Sequence, residues 1–253
     1  VSVFSISSPV FADSGAQAIA ALSGSSAGSG AVASVSSSGS SAAAASSAFF
    51  TDVPENAVYA GALKRLASFG IIAPARNFNP NSPLTREQFA KMIVIAAGLE
   101  DNAAVMHGPT GFPDVPANSW STGYINAAVE EGYITGWSDG NFYPARPVTY
   151  AQICAILVRA LGYTEMDLTG SWPYNYISMA KKLGLSDGVN LRNNDSVPRW
   201  AAVLMLDRLL SSNVKSMSGQ TISFLDSTGY YTKAIVFGDA TTVSYLDKGQ
   251  VLT

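Results

Sequence analysis

Apolar residues recur at i, i+3, i+4 and i+7 in three separate places along the chain. They are Phe89, Met92, Ile93 and Ala96, then Ile153, Ile156, Leu157 and Ala160, then Ala202, Met205, Leu206 and Leu209. That period puts one apolar stripe on each of three helices. Thr85 with Gln88, and Thr149 with Gln152, have the spacing of a capping box, which fixes where the first two of these helices begin. A shorter helical segment precedes each one, and Gly70, Gly132 and Gly184 stand where a left-handed residue closes it. Each unit therefore reads as helix, loop, helix. A single stripe cannot be buried by its own helix pair, so the three units are expected to pack around one shared core spanning about residues 50 to 211.

The three units are related in sequence. Phe50-Thr51-Asp52-Val53-Pro54 returns sixty-two positions later as Phe112-Pro113-Asp114-Val115-Pro116. Gly70-Ile71-Ile72 returns at the same offset as Gly132-Tyr133-Ile134. Phe78-Asn79-Pro80 and Leu84-Thr85 match Phe142-Tyr143-Pro144 and Val148-Thr149 after a two-residue insertion. A degenerate third copy follows: Trp120, Tyr124, Ile125, Ala128 and Gly132 reappear fifty-two positions on as Trp172, Tyr176, Ile177, Ala180 and Gly184. It closes with Val197-Pro198-Arg199. Ser138-Asp139-Gly140-Asn141 reads as a tight turn, and Asp139 as a turn residue rather than a calcium ligand.

The flanks have other textures. Residues 1–12 are apolar and serine-rich, and Val10 and Ala12 are placed as in the tail of an export signal, so a signal remnant is expected there beside the plainer reading of an ordinary apolar segment. Residues 13–48 contain 30 Ser, Ala or Gly in 36 positions, which gives no core-forming material. As a flexible coil this linker would reach roughly 35 Å. Residues 212–253 are expected to start a β-rich module, with short runs at Thr221–Leu225, Ala234–Phe237 and Thr241–Tyr245 separated by turn signals at Asp226–Gly229 and Gly238–Asp239.

Composition narrows the function. Lys and Arg number 15 against 18 Asp and Glu, a net charge of −3, so no basic field is present to attract nucleic acid. One cysteine, Cys154, and one histidine, His107, leave thiolate clusters, zinc sites and Ser/His/Asp triads short of parts. Cys154 is expected to be a buried inert thiol and His107 a loop residue. No stretch reaches the roughly 18 to 20 apolar residues that a membrane helix needs. No cofactor, metal or catalytic group is expected.

The Phe-x-Asp-Val-Pro motif, the helix ending Gly-x-Ile, the Asp-Gly loop, Phe-x-Pro and the Thr-Arg-Glu-Gln helix start together resemble the S-layer homology domain. The resemblance covers about 160 residues, as repeats at 49–100, 111–163 and 171–211. It implies a mainly α fold: a pseudo-threefold spindle with a central three-helix bundle. It also implies non-covalent binding of a secondary cell-wall polysaccharide, often pyruvylated, in grooves between repeats, and so the anchoring of an exported S-layer or surface protein in the bacterial cell wall.

By the same resemblance Arg86 holds the place of the main anion-contacting arginine. A guanidinium suits that role, because its planar fork matches a carboxylate. Trp120 and Trp172 hold the aromatic position of the first helix in repeats two and three, where an indole can stack on a sugar. The first repeat has Val58 there. Repeat two has Tyr150 in the arginine's place, which removes that groove's fixed charge. Repeat three keeps Arg199 but lacks the Thr cap, so at most two grooves are expected to be competent. Each of these five side chains also has a plainer reading, as a solvated first-turn charge or as packing. Two other functions stay open: a lattice-forming protein whose repeats contact other copies of the chain, and the anchor portion of an envelope glycosidase. A glycosidase would need a spaced carboxylate pair. The available acids, Asp52, Asp114, Glu87, Glu130, Glu131 and Asp139, fall mostly at caps and exposed faces.

Overall fold

The structure, a computed structural model, describes residues 50–215, 221–228, 244–246 and 250–252. The order of elements is α1 (Ala60–Ser68), α2 (Arg86–Ala96), α3 (Glu100–Val105), α4 (Thr122–Glu130), α5 (Tyr150–Ala160), a 3-10 turn (Glu165–Asp167), α6 (Tyr174–Lys182), α7 (Arg199–Ser211), β1 (Asn213–Val214), β2 (Ile222–Ser223), α8 (Phe224–Ser227), β3 (Ser244–Leu246) and β4 (Gln250–Leu252). The fold is mainly α, with a small strand content near the C-terminus. No helix among the described residues is long and apolar enough to cross a membrane.

The three striped helices α2, α5 and α7 form the centre. Phe89, Ile93, Ile153, Leu157, Ala202, Met205, Leu206 and Leu209 are all fully buried there. Both capping boxes are closed: the Thr85 and Thr149 hydroxyls accept from the Gln88 and Gln152 amides, and the glutamine side chains accept from the threonine amides in return. Gly70, Gly132 and Gly184 have φ of 74°, 71° and 72°, the left-handed geometry expected after each first helix.

The first helices do not pack on their own repeats. α4 lies on α2, α6 on α5, and α1 on α7, so each helix pair joins the second helix of one repeat to the first helix of the next. A ring of backbone hydrogen bonds closes the arrangement just before the central helices. Val148 donates to the Leu84 carbonyl (2.8 Å), Leu84 to Val197 (3.0 Å), and Val197 to Val148 (3.0 Å). At the next level the first amide of each central helix donates to a neighbouring repeat: Arg86 to Arg146, Tyr150 to Asp195, and Arg199 to Ser82. Helix N-termini carry amides with no partner inside the helix, and here the adjacent repeat supplies the acceptors. The first and third repeats are further joined by a two-bond ion pair between Arg65 of α1 and Asp207 of α7.

The Phe-x-Asp-Val-Pro motif has a local purpose. The Asp52 carboxylate accepts from the Phe78 and Asn79 amides (2.7 Å each), and Asp114 from those of Phe142 and Tyr143 (2.8 and 2.6 Å). Asn79 and Tyr143 have φ of 55° and 58°, which non-glycine residues seldom adopt. Each carboxylate thus pins a strained turn of its own repeat, with Phe78 or Phe142 buried beside it. The Ser138–Asn141 turn forms as expected: Gly140 has φ of 83° and Asp139 accepts from the Asn141 amide.

Two segments differ from the sequence expectation. Helix α3, in the connection between repeats one and two, carries no strong period yet packs closely on α4; a Cβ on Gly123 would lie 2.1 Å from the Ala103 carbonyl oxygen. Thr221–Leu225 is a strand only at Ile222–Ser223, paired antiparallel with β1. It then turns into α8 because Ser223 caps the Asp226 amide and Phe224 and Leu225 drop into the core. Asp226 and Ser227 are accordingly helical rather than part of a turn. The chain after α7 folds back onto the repeats: the Lys215 amide donates to Leu161, and the Thr228 carbonyl packs against Gly98. Within Thr241–Tyr245, Ser244 and Tyr245 belong to β3, which pairs with β4. Residues 1–49 and Ala234–Phe237 lie outside the described residues.

Cys154 is buried in α5, where burial pushes its thiol up to about 12, an inert thiol as expected. His107 is exposed in a loop.

Candidate functional site

A cleft of about 470 Å³ opens between repeats two and three, within the usual size range for a small-ligand site. One wall is a face of α5. Gln152, Ala155, Ile156 and Arg159 follow one another at i, i+3, i+4 and i+7 and so point the same way. The loop after α4 contributes Ile134 to Trp137, the entry to α6 contributes Trp172 and Pro173, and the loop before α7 contributes Asn194. Arg86 closes one end from repeat one, and Glu165 lies near Arg159.

The two arginines in this wall differ. Arg86 is only 4% exposed. Its Nε donates to the Phe142 carbonyl (2.8 Å) and its Nη2 to the Thr135 carbonyl (3.2 Å), while the guanidinium lies 4.7 Å from the centre of the Phe142 ring. Burial pushes it down to about 10, with attraction to Asp114 opposing, so it remains protonated at neutral pH. Arg86 is therefore a splint that ties the start of α2 to the loop of the second repeat, and only its edge meets the cleft. It forms no pair with Glu87, whose carboxylate accepts from the Ser121 hydroxyl (2.8 Å). Arg159 is half-buried, donates through Nε to the Tyr176 hydroxyl (3.0 Å), and has Nη2 3.7 Å from Glu165.

The other expected residues fall as follows. Trp172 is 54% exposed and lines the cleft, its ring edge-on to Tyr176. Trp120 is 53% exposed, beside Tyr124 on the α2–α4 pair and away from this cleft. Arg199 repeats the job of Arg86 one repeat round: Nε donates to the Phe78 carbonyl (2.7 Å) and the guanidinium lies 5.0 Å from the Phe78 ring centre. Tyr150 is buried, and its hydroxyl lies near Ser186 and Cys154 without a hydrogen bond of normal geometry. The cleft thus gathers Arg86 and Trp172 but not Trp120, Tyr150 or Arg199.

Arg159, Trp137, Asn194 and Glu165 of the cleft have no place in the sequence analysis, and Gln152 enters it only as a capping-box residue. Gln152 and Arg159 were legible as the two polar positions seven residues apart beside the α5 stripe. Trp137 flanks the Asp-Gly turn and is 42% exposed, edge-on to Tyr143 at 5.8 Å. Together these groups offer two indole faces, two amides and a guanidinium, a set suited to stack on a sugar ring, bond its hydroxyls and pair with a carboxylate.

Comparison with known proteins agrees with this architecture. The S-layer homology domain model matches residues 49–90 and 111–154. The chain is 37% identical over 177 residues to a cell surface protein of Thermoanaerobacter kivui, covering 68% of this chain and 23% of that one. It is 36% identical over 159 residues to a surface layer protein of Brevibacillus choshinensis, covering 61% of this chain and 14% of that one. A cellulosome-anchoring protein of Acetivibrio thermocellus is 24% identical over 168 residues, covering 60% of this chain and 37% of that one. The chain therefore spans a quarter or less of the first two relatives. Through its first two repeats, this chain belongs to the S-layer homology domain family.

Proposed function

We propose that this region holds an exported surface protein on the bacterial cell envelope by binding a secondary cell-wall polysaccharide, with the cleft between repeats two and three as the main site. The observation that carries this is the convergence of Arg159, Trp137 and Trp172, from two repeats, on one open cleft of about 470 Å³. The guanidinium takes an acidic substituent such as a ketal-linked pyruvate, the indoles take sugar faces, and Gln152 and Asn194 take hydroxyls. The family and the surface-protein relatives support the envelope location.

Sedimentation of the chain with purified wall polymer, intact and depyruvylated, tests this. Arg159→Ala and Trp172→Ala are the informative variants, because both side chains reach solvent. Each is expected to weaken binding to the intact polymer by about tenfold or more, the scale of one charge-assisted or stacking contact. Equal pelleting with both polymers and unchanged binding by Arg159→Ala would refute the proposal. Arg86→Ala is a poor probe, since it removes a structural splint together with any ligand contact.

A further inference from the structure

The carboxylate of Glu165 already sits where an acidic ligand would bind. Its Oε1 accepts from the Tyr176 hydroxyl (2.8 Å) and lies 3.7 Å from Nη2 of Arg159, and its Oε2 accepts from the Asn175 side-chain amide (3.2 Å). Tyr176 and Asn175 are 1% and 5% exposed, and Tyr176 is also held by Arg159 Nε, so the donors form a fixed seat. The occupant differs from the seat. Glu165 is an exposed side chain, 66% accessible, on a single 3-10 turn, and the turn keeps its place through other bonds, from Thr164 and Lys215 to Asp167. The glutamate can leave without unmaking the turn that carries it.

We infer that Arg159, Tyr176 and Asn175 form a carboxylate subsite whose resident is Glu165, and that an acidic ligand gains the seat by displacing this internal carboxylate. This rests on the proposed wall-polymer function and adds a built-in competitor to it. Neutral chains neither use the seat nor expel Glu165, so their binding is indifferent to it, whereas an acidic ligand binds more weakly by what the bonds of the displaced glutamate are worth. The occupied seat also leaves no buried donor without an acceptor when the cleft is empty. An exposed ion pair and its hydrogen bonds are worth a modest amount, so the competition is tunable rather than prohibitive.

The experiment is equilibrium binding of the full chain and of Glu165→Gln and Glu165→Ala to intact and depyruvylated polymer, with thermal unfolding of each variant in parallel. The expected result is binding to the intact polymer tighter by roughly three- to tenfold, the equivalent of one displaced ion pair, with no change on the depyruvylated polymer. Adding Arg159→Ala to either variant is expected to abolish the gain. Glu165 variants that bind the intact polymer equally or more weakly than wild type would show that the glutamate supports the seat rather than competes for it, and would overturn the inference while leaving the wall-polymer function standing. A wild-type chain that binds neither polymer overturns both.

Discussion

The loops of the first two repeats and the loop of the third solve one problem in two ways. In repeats one and two an aspartate pins a strained turn, a phenylalanine fills the space beneath it, and an arginine from a neighbouring repeat bonds that phenylalanine's carbonyl. The sets are Asp52, Phe78 and Arg199, and Asp114, Phe142 and Arg86. In repeat three all three members change together. No Phe-x-Asp-Val-Pro motif precedes it, its loop contains no non-glycine residue at positive φ, and the helix start aimed at it carries Tyr150 instead of arginine. The arginine is present where the facing loop carries the pinning aspartate and the buried phenylalanine, and is replaced by Tyr150 where the facing loop has neither. That correspondence marks its first duty as assembly between repeats, with any ligand contact added on top.

The largest effect should come from breaking the splint. Arg86→Met keeps the aliphatic bulk but removes donors from the Phe142 and Thr135 carbonyls, and the first of these stays buried. A loss of about 2–4 kcal/mol is expected in urea unfolding. Arg199→Met should cost less, since Arg199 is the more exposed of the two. A near-neutral Arg86→Met would overturn the comparison.

Next in size are the turn carboxylates. Asp114→Ala and Asp52→Ala each remove two backbone hydrogen bonds, at about 1–3 kcal/mol. Asp114→Ala should be the costlier, because Tyr143 tolerates the left-handed region less readily than Asn79. The same bonds give a pH dependence. Burial alone would raise the Asp52 carboxyl, but the Phe78 and Asn79 amides outweigh it and hold it below the usual range. A carboxyl lowered in the folded state stabilises above its unfolded value near pH 4, and that stability is lost as pH falls through the folded value. Asp52→Asn should therefore flatten part of the fall in melting temperature below about pH 4 and leave the curve near pH 7 parallel to wild type.

Much of this was legible in the sequence for a physical reason. Helix stripes, capping boxes and left-handed glycines are short-range devices, so Phe89 to Ala96, Thr85 with Gln88, and Gly70 could be placed from their neighbours alone. The partner swap between repeats was not legible, because nothing local to Arg86 states that its acceptor lies fifty-six residues away at Phe142. For the same reason the register match identifies Arg86 and misses Arg159, whose surroundings depend on Trp172 of the next repeat and on Glu165 of the intervening 3-10 turn. Thr221–Leu225 reads as a strand through its β-rich composition, but the Ser223 side chain caps the Asp226 amide and turns the chain into α8, which buries the adjacent Phe224 and Leu225.

The smallest effect is the most discriminating. Tyr150 occupies the arginine's place with its ring buried and its hydroxyl near Ser186 and Cys154 without a hydrogen bond of normal geometry, and burial holds that hydroxyl above its ordinary range. If the third loop needs filling rather than bonding, Tyr150→Phe deletes only a hydroxyl with no well-formed hydrogen bond and should change stability by no more than about 0.5 kcal/mol, or raise it slightly. Tyr150→Arg, which restores the arginine of the other repeats, should instead destabilise: the third loop has neither the pinning aspartate nor the phenylalanine on which the other guanidiniums rest, and a buried guanidinium without matched partners is costly. Urea unfolding of both variants reads the sign directly. A stabilising Tyr150→Arg would mean that the third loop can hold a guanidinium as the other two do, and the distinction drawn between the repeats would fall.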